Sequence, residues 1–313
     1  MNLFKNQKIG ENEDIIFRRT LKGFSNFIKK TKPDLVIVHG DRIESLAITV
    51  SCFLNNILLA HIEGGEVSGT KDEVIRHSIS KLSDFHFVSN LTSKKRLLQL
   101  GEQKKSIFMI GSPEVDIALS KKLPTFNQCR KRYNFNFKEY AIFIFHPITD
   151  QIKRLRYDIE MIIRILKKSN FNYLVIYPNN DPGSKIILNE YKKISNNDAF
   201  KIYPSLRFEF FLSFLKNAKF IIGNSSSGVR EAPIFGIPTI NIGSRQHNRS
   251  QAISILHCST RNIEIVKALQ EINFVPKKIS KLFGDGKSAI KFEKIISNKF
   301  FWDSIKIKKF VDI

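Results

Sequence analysis

Short apolar runs rich in β-branched residues alternate with stretches of helical period along most of the chain. Residues 35–39, 57–62, 85–88 and 107–110 read as buried strands in the first part, and 141–145, 173–177, 219–222 and 239–242 in the second. Helical period marks 14–30, 42–55, 72–83, 150–168, 207–218 and 288–298. Near-continuous apolar strands separated by helices predict parallel sheets covered on both faces. The stretch Lys121-Lys122-Leu123-Pro124-Thr125-Phe126-Asn127 holds a proline and no period, so it is predicted as a linker. The expected organisation is α/β, with a first lobe over 1–122, a second over 128–287, and a C-terminal helix and tail over 288–313 that packs back on the first. No internal repeat of solenoid length interrupts this pattern.

Composition narrows the class. With 313 residues, 42% hydrophobic and 26% charged, the chain has material for two cores and an ordinary globular balance. No apolar run reaches the roughly 18 to 20 residues that cross a bilayer, and Met1-Asn2-Leu3-Phe4-Lys5-Asn6-Gln7-Lys8 lacks the apolar stretch of a secretory signal. Cys52, Cys129 and Cys258 are widely spaced, without metal-ligand spacing, and fit reduced thiols in a cytoplasm. The formal charge of +22 invites a nucleic-acid partner. The lysines argue against it, being scattered over many helices (Lys29-Lys30, Lys94-Lys95, Lys167-Lys168, Lys192-Lys193) with no aromatic-interleaved stripe. A cytoplasmic protein with no nucleic-acid and no membrane partner is expected.

Ligands of doubly wound sheets sit at the carboxyl ends of the strands. Here those ends carry His39-Gly40-Asp41-Arg42, His61-Ile62-Glu63-Gly64-Gly65-Glu66, His146-Pro147, Pro178-Asn179-Asn180-Asp181 and Gly223-Asn224-Ser225-Ser226-Ser227-Gly228. The last run precedes a helix expected near Val229, where small residues, hydroxyls and free N–H groups suit a phosphate, though a plain N-cap turn reads the same way. Glu231 could accept from a ribose diol or merely offset a helix dipole, and Arg245 could reach a pyrophosphate. Asp41, Glu63 and Asp72 are candidates for acid–base work, because paired carboxylates divide such roles when their surroundings differ. Asp72 and Arg76, and Glu73 and His77, share helix faces at i,i+4, and Glu73 and Arg76 also read as a structural ion-pair set. His146 at a strand end is a candidate acid–base group, with His39, His61 and His77 orienting carboxylates.

Together these segments resemble the UDP-N-acetylglucosamine 2-epimerase family, most closely its hydrolysing branch, which feeds sialic and related nonulosonic acids. The resemblance is carried by Val38-His39-Gly40-Asp41-Arg42, by His61-Ile62-Glu63-Gly64-Gly65-Glu66-Val67-Ser68-Gly69-Thr70 and by Asp72-Glu73-Val74-Ile75-Arg76-His77. It continues through Phe145-His146-Pro147, Asn224-Ser225-Ser226-Ser227-Gly228-Val229-Arg230-Glu231, Asn241-Ile242-Gly243-Ser244-Arg245-Gln246 and Gly284-Asp285-Gly286. It implies two Rossmann-like lobes arranged as in GT-B glycosyltransferases, with the active site in the cleft between them. It implies UDP-N-acetylglucosamine and water as reactants and N-acetylmannosamine and UDP as products, with no cofactor and no metal. Asp41, Glu63, Asp72 and His146 take the catalytic positions. Ser225, Ser226, Glu231 and Arg245 take the UDP-binding ones, and Arg42, Arg76, His77 and Asn179 lie around the substrate. A homo-oligomer is expected by the same resemblance.

One departure stands out. Family members open with a strand and a basic, glycine-containing phosphate loop, whereas this chain opens with a polar segment and one helix before the strand at Leu35. The first lobe is therefore expected to be incomplete, with weak or absent turnover and exposed sheet edges. Rival readings are a UDP-2,4-diacetamido-trideoxyhexose substrate, a non-hydrolysing epimerase, a GT-B glycosyltransferase, and a non-catalytic UDP-sugar sensor. A transferase would not need carboxylates to work at C2.

Overall fold

The computed structural model describes residues 11–148, 151–246, 248–250, 252–303, 308 and 311. The polar opening at residues 1–8 and the expected helix start at Asp150 lie outside the described residues. The chain divides into two compact units, one of Met1–Asp116 with Leu282–Ile313 and one of Ile117–Lys281. The division thus falls before the Lys121–Asn127 stretch, and the last segment returns to the first unit.

In the first unit α1 (Glu13–Thr31), β1 (Leu35–His39), α2 (Ile43–Leu54), β2 (Leu58–Ile62), α3 (Asp72–Leu82), β3 (Phe85–Val88), α4 (Leu91–Gln99) and β4 (Ile107–Met109) follow one another. The strands form a parallel sheet in the order β1-β2-β3-β4. β3 is buried throughout, while β1 is an edge strand that leaves Ile37 exposed. α5 (Pro113–Ala118) joins the two units in sequence.

The second unit contains α6 (Phe126–Tyr133), β5 (Ala141–Ile144), α7 (Ile152–Lys168), β6 (Tyr173–Ile176), α8 (Ser184–Lys192), β7 (Phe200–Tyr203) and α9 (Phe208–Asn217). It continues with β8 (Ile221–Gly223), α10 (Glu231–Ile234), β9 (Thr239–Ile242), β10 (Ile255–Cys258) and α11 (Asn262–Glu271). Its parallel sheet runs β10-β9-β8-β5-β6-β7, so the connections reverse direction between β5 and β8. That reversal is the switch point where doubly wound sheets open a crevice for ligands. α7 shows why the core forms here: Leu155, Ile159, Ile162, Ile163 and Leu166 recur at helical spacing, are all buried, and pack on Phe143, Tyr173 and Val175.

α12 (Ser288–Ile296) and α13 (Lys299–Asp303) complete the first unit. Phe301 stacks on Phe85 of β3 at 4.0 Å between centroids, and Phe292 meets Phe87 edge-on at 4.7 Å. The α/β class and its parallel sheets are as the apolar pattern predicted. Strands β7 and β10 escaped that reading because both lie at sheet edges, where half the positions are wet and no continuous apolar run develops. Part of the stretch predicted as aperiodic linker is α6, started by a capping box in which Thr125 and Gln128 satisfy each other's backbone N–H groups. Among the described residues no helix is long and apolar enough to cross a membrane.

Candidate active site

Parallel pairing of β1 with β2 puts His39 opposite Ile62, so Asp41 and Glu63 follow neighbouring strands at the same, carboxyl end of the sheet. Glu63 adopts φ +65°, a conformation few residues other than glycine tolerate, with its N–H held by the Phe87 carbonyl at 2.9 Å. Such a backbone costs on the order of 1 kcal/mol or more and persists only where neighbours over-determine it. Its carboxylate is buried and accepts from His39, with Nε2 and Oε2 3.1 Å apart.

Arg76 is not paired with Asp72 as i,i+4 spacing on a helix predicts. It is almost wholly buried and runs back to the strand ends, donating through Nη2 to Asp41 and through Nη1 to the Glu66 carbonyl at 2.9 Å. A guanidinium supplies donors in a fixed fork, which suits it to lock two elements at once. Asp72 opens α3 and accepts from Thr70 Oγ1 at 3.0 Å. Glu73 holds the incoming loop by accepting from the Ser68 N–H at 2.6 Å, and His77 lies 3.9 Å from it. Burial lowers the His77 pKa, opposed by Glu73 and helped by Arg76 and Arg96. Arg42 caps the approach to α2, with Nε 3.8 Å from Glu44.

His61 stays behind the strand ends. Its Nε2 faces the Gly40 carbonyl at 2.8 Å and so carries the proton, leaving Nδ1 to accept from Ser80 at 2.9 Å. Burial presses its pKa down to about 3, opposed by the Gly40 hydrogen bond. A neutral His61 therefore ties the Gly40-Asp41 turn to α3.

In the second unit the groups collect at the switch point. Asn224, just past β8, clamps the backbone of His146, just past β5: Oδ1 accepts from the His146 N–H at 2.7 Å and Nδ2 donates to its carbonyl at 2.8 Å. The Asn224 carbonyl accepts from Arg245 and Gln246, each at 3.2 Å. His146 Nδ1 accepts from the Asn179 N–H at 3.0 Å, so its neutral ring carries the proton on Nε2, while the Asn179 side chain donates to Asp181. Gly223 makes the close strand approach possible: at φ +134° an added Cβ would stand 1.9 Å from the Ile144 carbonyl oxygen.

The helix expected near Val229 is α10, which opens at Glu231 and is short. Ser226–Gly228 form a single 3-10 turn, with Ser225 Oγ accepting from the Ser227 N–H at 3.3 Å, and α10 that follows is four residues long. The fixed polar groups of this turn, rather than a helix dipole, are what it offers a ligand, with Ser225 and Glu231 buried and Ser226 half-buried.

The structure thus joins Asp41 to Arg76, and Glu63 to His39, in the first unit, and His146 to Asn179 and to the Asn224–Arg245 set in the second. The sequence pattern gave Asn224 and Glu66 a place at the strand ends without a role, and it gave no sign of Glu114. The Glu66 carboxylate accepts from Ser89 at 2.7 Å, and Glu114 lies 3.6 Å from His39. His39, Glu63 and Glu114 are a set, among the described residues, whose ligand-type atoms all fall within 4.8 Å of one another. That closeness would admit a divalent cation, and the 3.1 Å between His39 Nε2 and Glu63 Oε2 is equally that of a hydrogen bond.

Parallel sheets with hydroxyls, amides and carboxylates at their carboxyl ends place the chain among α/β proteins that take ligands there. Residues 4–297 match the sequence profile of the family described as UDP-N-acetylglucosamine 2-epimerase. A Neisseria meningitidis UDP-N-acetylglucosamine 2-epimerase is 40% identical over 315 aligned positions, covering 99% of this chain and 83% of the relative. The Legionella pneumophila UDP-N,N'-diacetylbacillosamine 2-epimerase (hydrolyzing) is 34% identical, covering 86% and 72%. Among solved structures, Methanocaldococcus jannaschii UDP-GlcNAc 2-epimerase, in complex with UDP-GlcNAc and UDP, superposes with a TM-score of 0.80 at 23% identity, covering 92% of this chain and 82% of that one. The chain belongs to the UDP-N-acetylglucosamine 2-epimerase family.

Proposed function

We propose that the protein is a hydrolysing epimerase that converts UDP-N-acetylglucosamine and water to N-acetylmannosamine and UDP. The observation that carries the reading is the pair of carboxylates, Asp41 and Glu63, leaving neighbouring parallel strand ends, each held by its own basic partner. A base takes the proton from C2 of the sugar, the C1–O bond breaks, and UDP leaves with that electron pair to give a 2-acetamidoglucal. Water then adds across the double bond, its hydroxyl to C1 and a proton to the opposite face of C2.

Asp41, Glu63 and Asp72 are the groups for these proton transfers, with His146 as a further acid–base group whose Nε2–H is fixed by the Asn179 N–H on Nδ1. Arg76 and His77 support the carboxylates from α3, and Arg42 and Asn179 line the substrate's surroundings. Ser225, Ser226, Glu231 and Arg245 take the UDP, whose departure needs fixed donors at the pyrophosphate. Water as co-substrate is favoured by the Legionella relative, itself described as hydrolyzing.

That relative also supports a second reading, in which the sugar is a UDP-2,4-diacetamido-trideoxyhexose. Incubating the protein with each UDP-sugar in heavy water and following the products by NMR tests both. Deuterium at C2 together with free UDP and a free 2-epimeric sugar is expected. Deuterium at C2 with UDP still attached would point to the non-hydrolysing reaction, and no exchange at all would remove the epimerase reading.

A further inference from the structure

His39 stands between two carboxylates. Its Nε2 lies 3.1 Å from Glu63 Oε2 and 3.6 Å from Glu114 Oε1. Glu114 sits in the first turn of α5, where Ser112 Oγ donates to its other oxygen at 2.6 Å and so turns Oε1 toward the imidazole.

The strand-to-helix loop carrying Glu114 is itself fixed from the far end of the sequence. The Ser112 N–H donates to the Phe283 carbonyl at 2.7 Å, and Asp116 accepts from the Ser288 and Ala289 N–H groups at 2.9 Å each. Gly111 and Gly284, at φ +94° and +130°, meet backbone to backbone: a Cβ on Gly111 would come 3.3 Å from the Gly284 Cα. The Phe283-Gly284 segment therefore acts as a brace under the loop that aims Glu114 at His39.

From this arrangement we infer that Glu114 is a positioning residue for the reaction: through His39 it sets the orientation of the Glu63 carboxylate. Ionised carboxylates only accept hydrogen bonds, so a ring nitrogen that faces two of them must carry the hydrogen. Glu63, the nearer at 3.1 Å, accepts that hydrogen through Oε2, and Glu114, at 3.6 Å, adds a second negative charge that holds the same edge of the ring in place. Without Glu114 the ring loses one of the two carboxylates that hold Nε2 toward Glu63, and both the Nε2–H tautomer and the Glu63 carboxylate are held less firmly. The inference rests on the reading of Glu63 as a group that works on the sugar.

The test compares Glu114→Gln, Glu114→Asp and Glu63→Gln in the full chain, with UDP release, UDP binding and thermal melting followed for each. Glu114→Gln is expected to lower kcat by about tenfold to a hundredfold, the range of a small misplacement, with KM and UDP affinity little changed. Glu114→Asp should recover part of the loss. In 15N NMR of labelled histidine the His39 signals should report Nε2–H in the unaltered protein and shift toward a mixture in Glu114→Gln. Unchanged kcat and unchanged His39 signals in Glu114→Gln, with Glu63→Gln inactive, would overturn the inference and leave the proposed function standing. An active Glu63→Gln would instead remove Glu63 from the reaction, and the inference with it. Stoichiometric zinc bound by the unaltered protein and lost in Glu114→Gln would also overturn it, since the three side chains would then be ligands.

Discussion

Arg76 of α3 donates to the carboxylate of Asp41, 35 residues earlier in the chain. This contact fastens the helix that begins with Asp72 to the strand end that carries Asp41, and so fixes two of the candidate carboxylates relative to each other. Arg76 is buried and Asp41 only partly so, with side-chain exposures of 2% and 24%. Removing the cation strands a half-buried carboxylate. Arg76→Ala is expected to cost about 3 kcal/mol in urea unfolding, and Arg76→Lys to lose part of that because an ammonium cannot fork to Asp41 and Glu66 together.

Chemistry and nucleotide binding should separate. Asp41→Asn, Glu63→Gln and Asp72→Asn are each expected to slow UDP release by about a hundredfold or more. Calorimetric affinity for UDP should stay within a few-fold, because the UDP groups belong to the other unit. Loss of UDP binding in all of them would contradict the assignment.

Acid should weaken the fold through its buried histidines. Burial holds His61 at about 3 against an ordinary 6.5, and burial lowers His86 in the same direction although Glu102 opposes it. Between those limits the unfolded chain binds a proton that the folded chain refuses, so stability is full above the ordinary value and falls as pH drops. The loss due to His61 should reach about 2 kcal/mol at pH 5. His61→Gln, whose amide can still donate to Gly40 and accept from Ser80, should flatten that part of the slope in urea titrations at several pH values.

The C-terminal segment should prove necessary to the first unit. Phe301 lies 4.0 Å from Phe85, centroid to centroid, and is buried against β3. Phe301→Ala is expected to lower stability by about 3 kcal/mol, read from thermal or urea unfolding.

Gly223→Ala should be worse than its size suggests. The new methyl would meet the Ile144 carbonyl at 1.9 Å on a backbone that disfavours side chains. A cost of about 3 kcal/mol or more is expected, with loss of UDP affinity because Asn224 and Ser225 follow directly.

Much of this protein could be read along the chain. The apolar runs at 85–88 and 141–144 declare buried parallel strands because burial on both faces leaves no other pattern, whereas 35–39 reads the same way and is an edge strand with Ile37 exposed. The polar clusters at strand ends, from Asp41 and Glu63 to Asn224 and Ser225, mark the place where a ligand is proposed to bind. Edge strands β7 and β10 could not be read, since their positions face solvent as often as core.

Partners were decided only in three dimensions. Spacing offered Arg76 to Asp72, one turn away, yet the packing of α3 on β1 and β2 gave it to Asp41 instead. Likewise nothing in the spacing of His39, Glu63, Glu114 and Gly284 announces their association, which depends on β1, β2, α5 and the returning C-terminal segment meeting in one unit. Local pattern determines which elements form, because propensity and burial act over a few residues. Contacts between their ends follow from how the sheet orders its strands, and that order is set by the whole core at once.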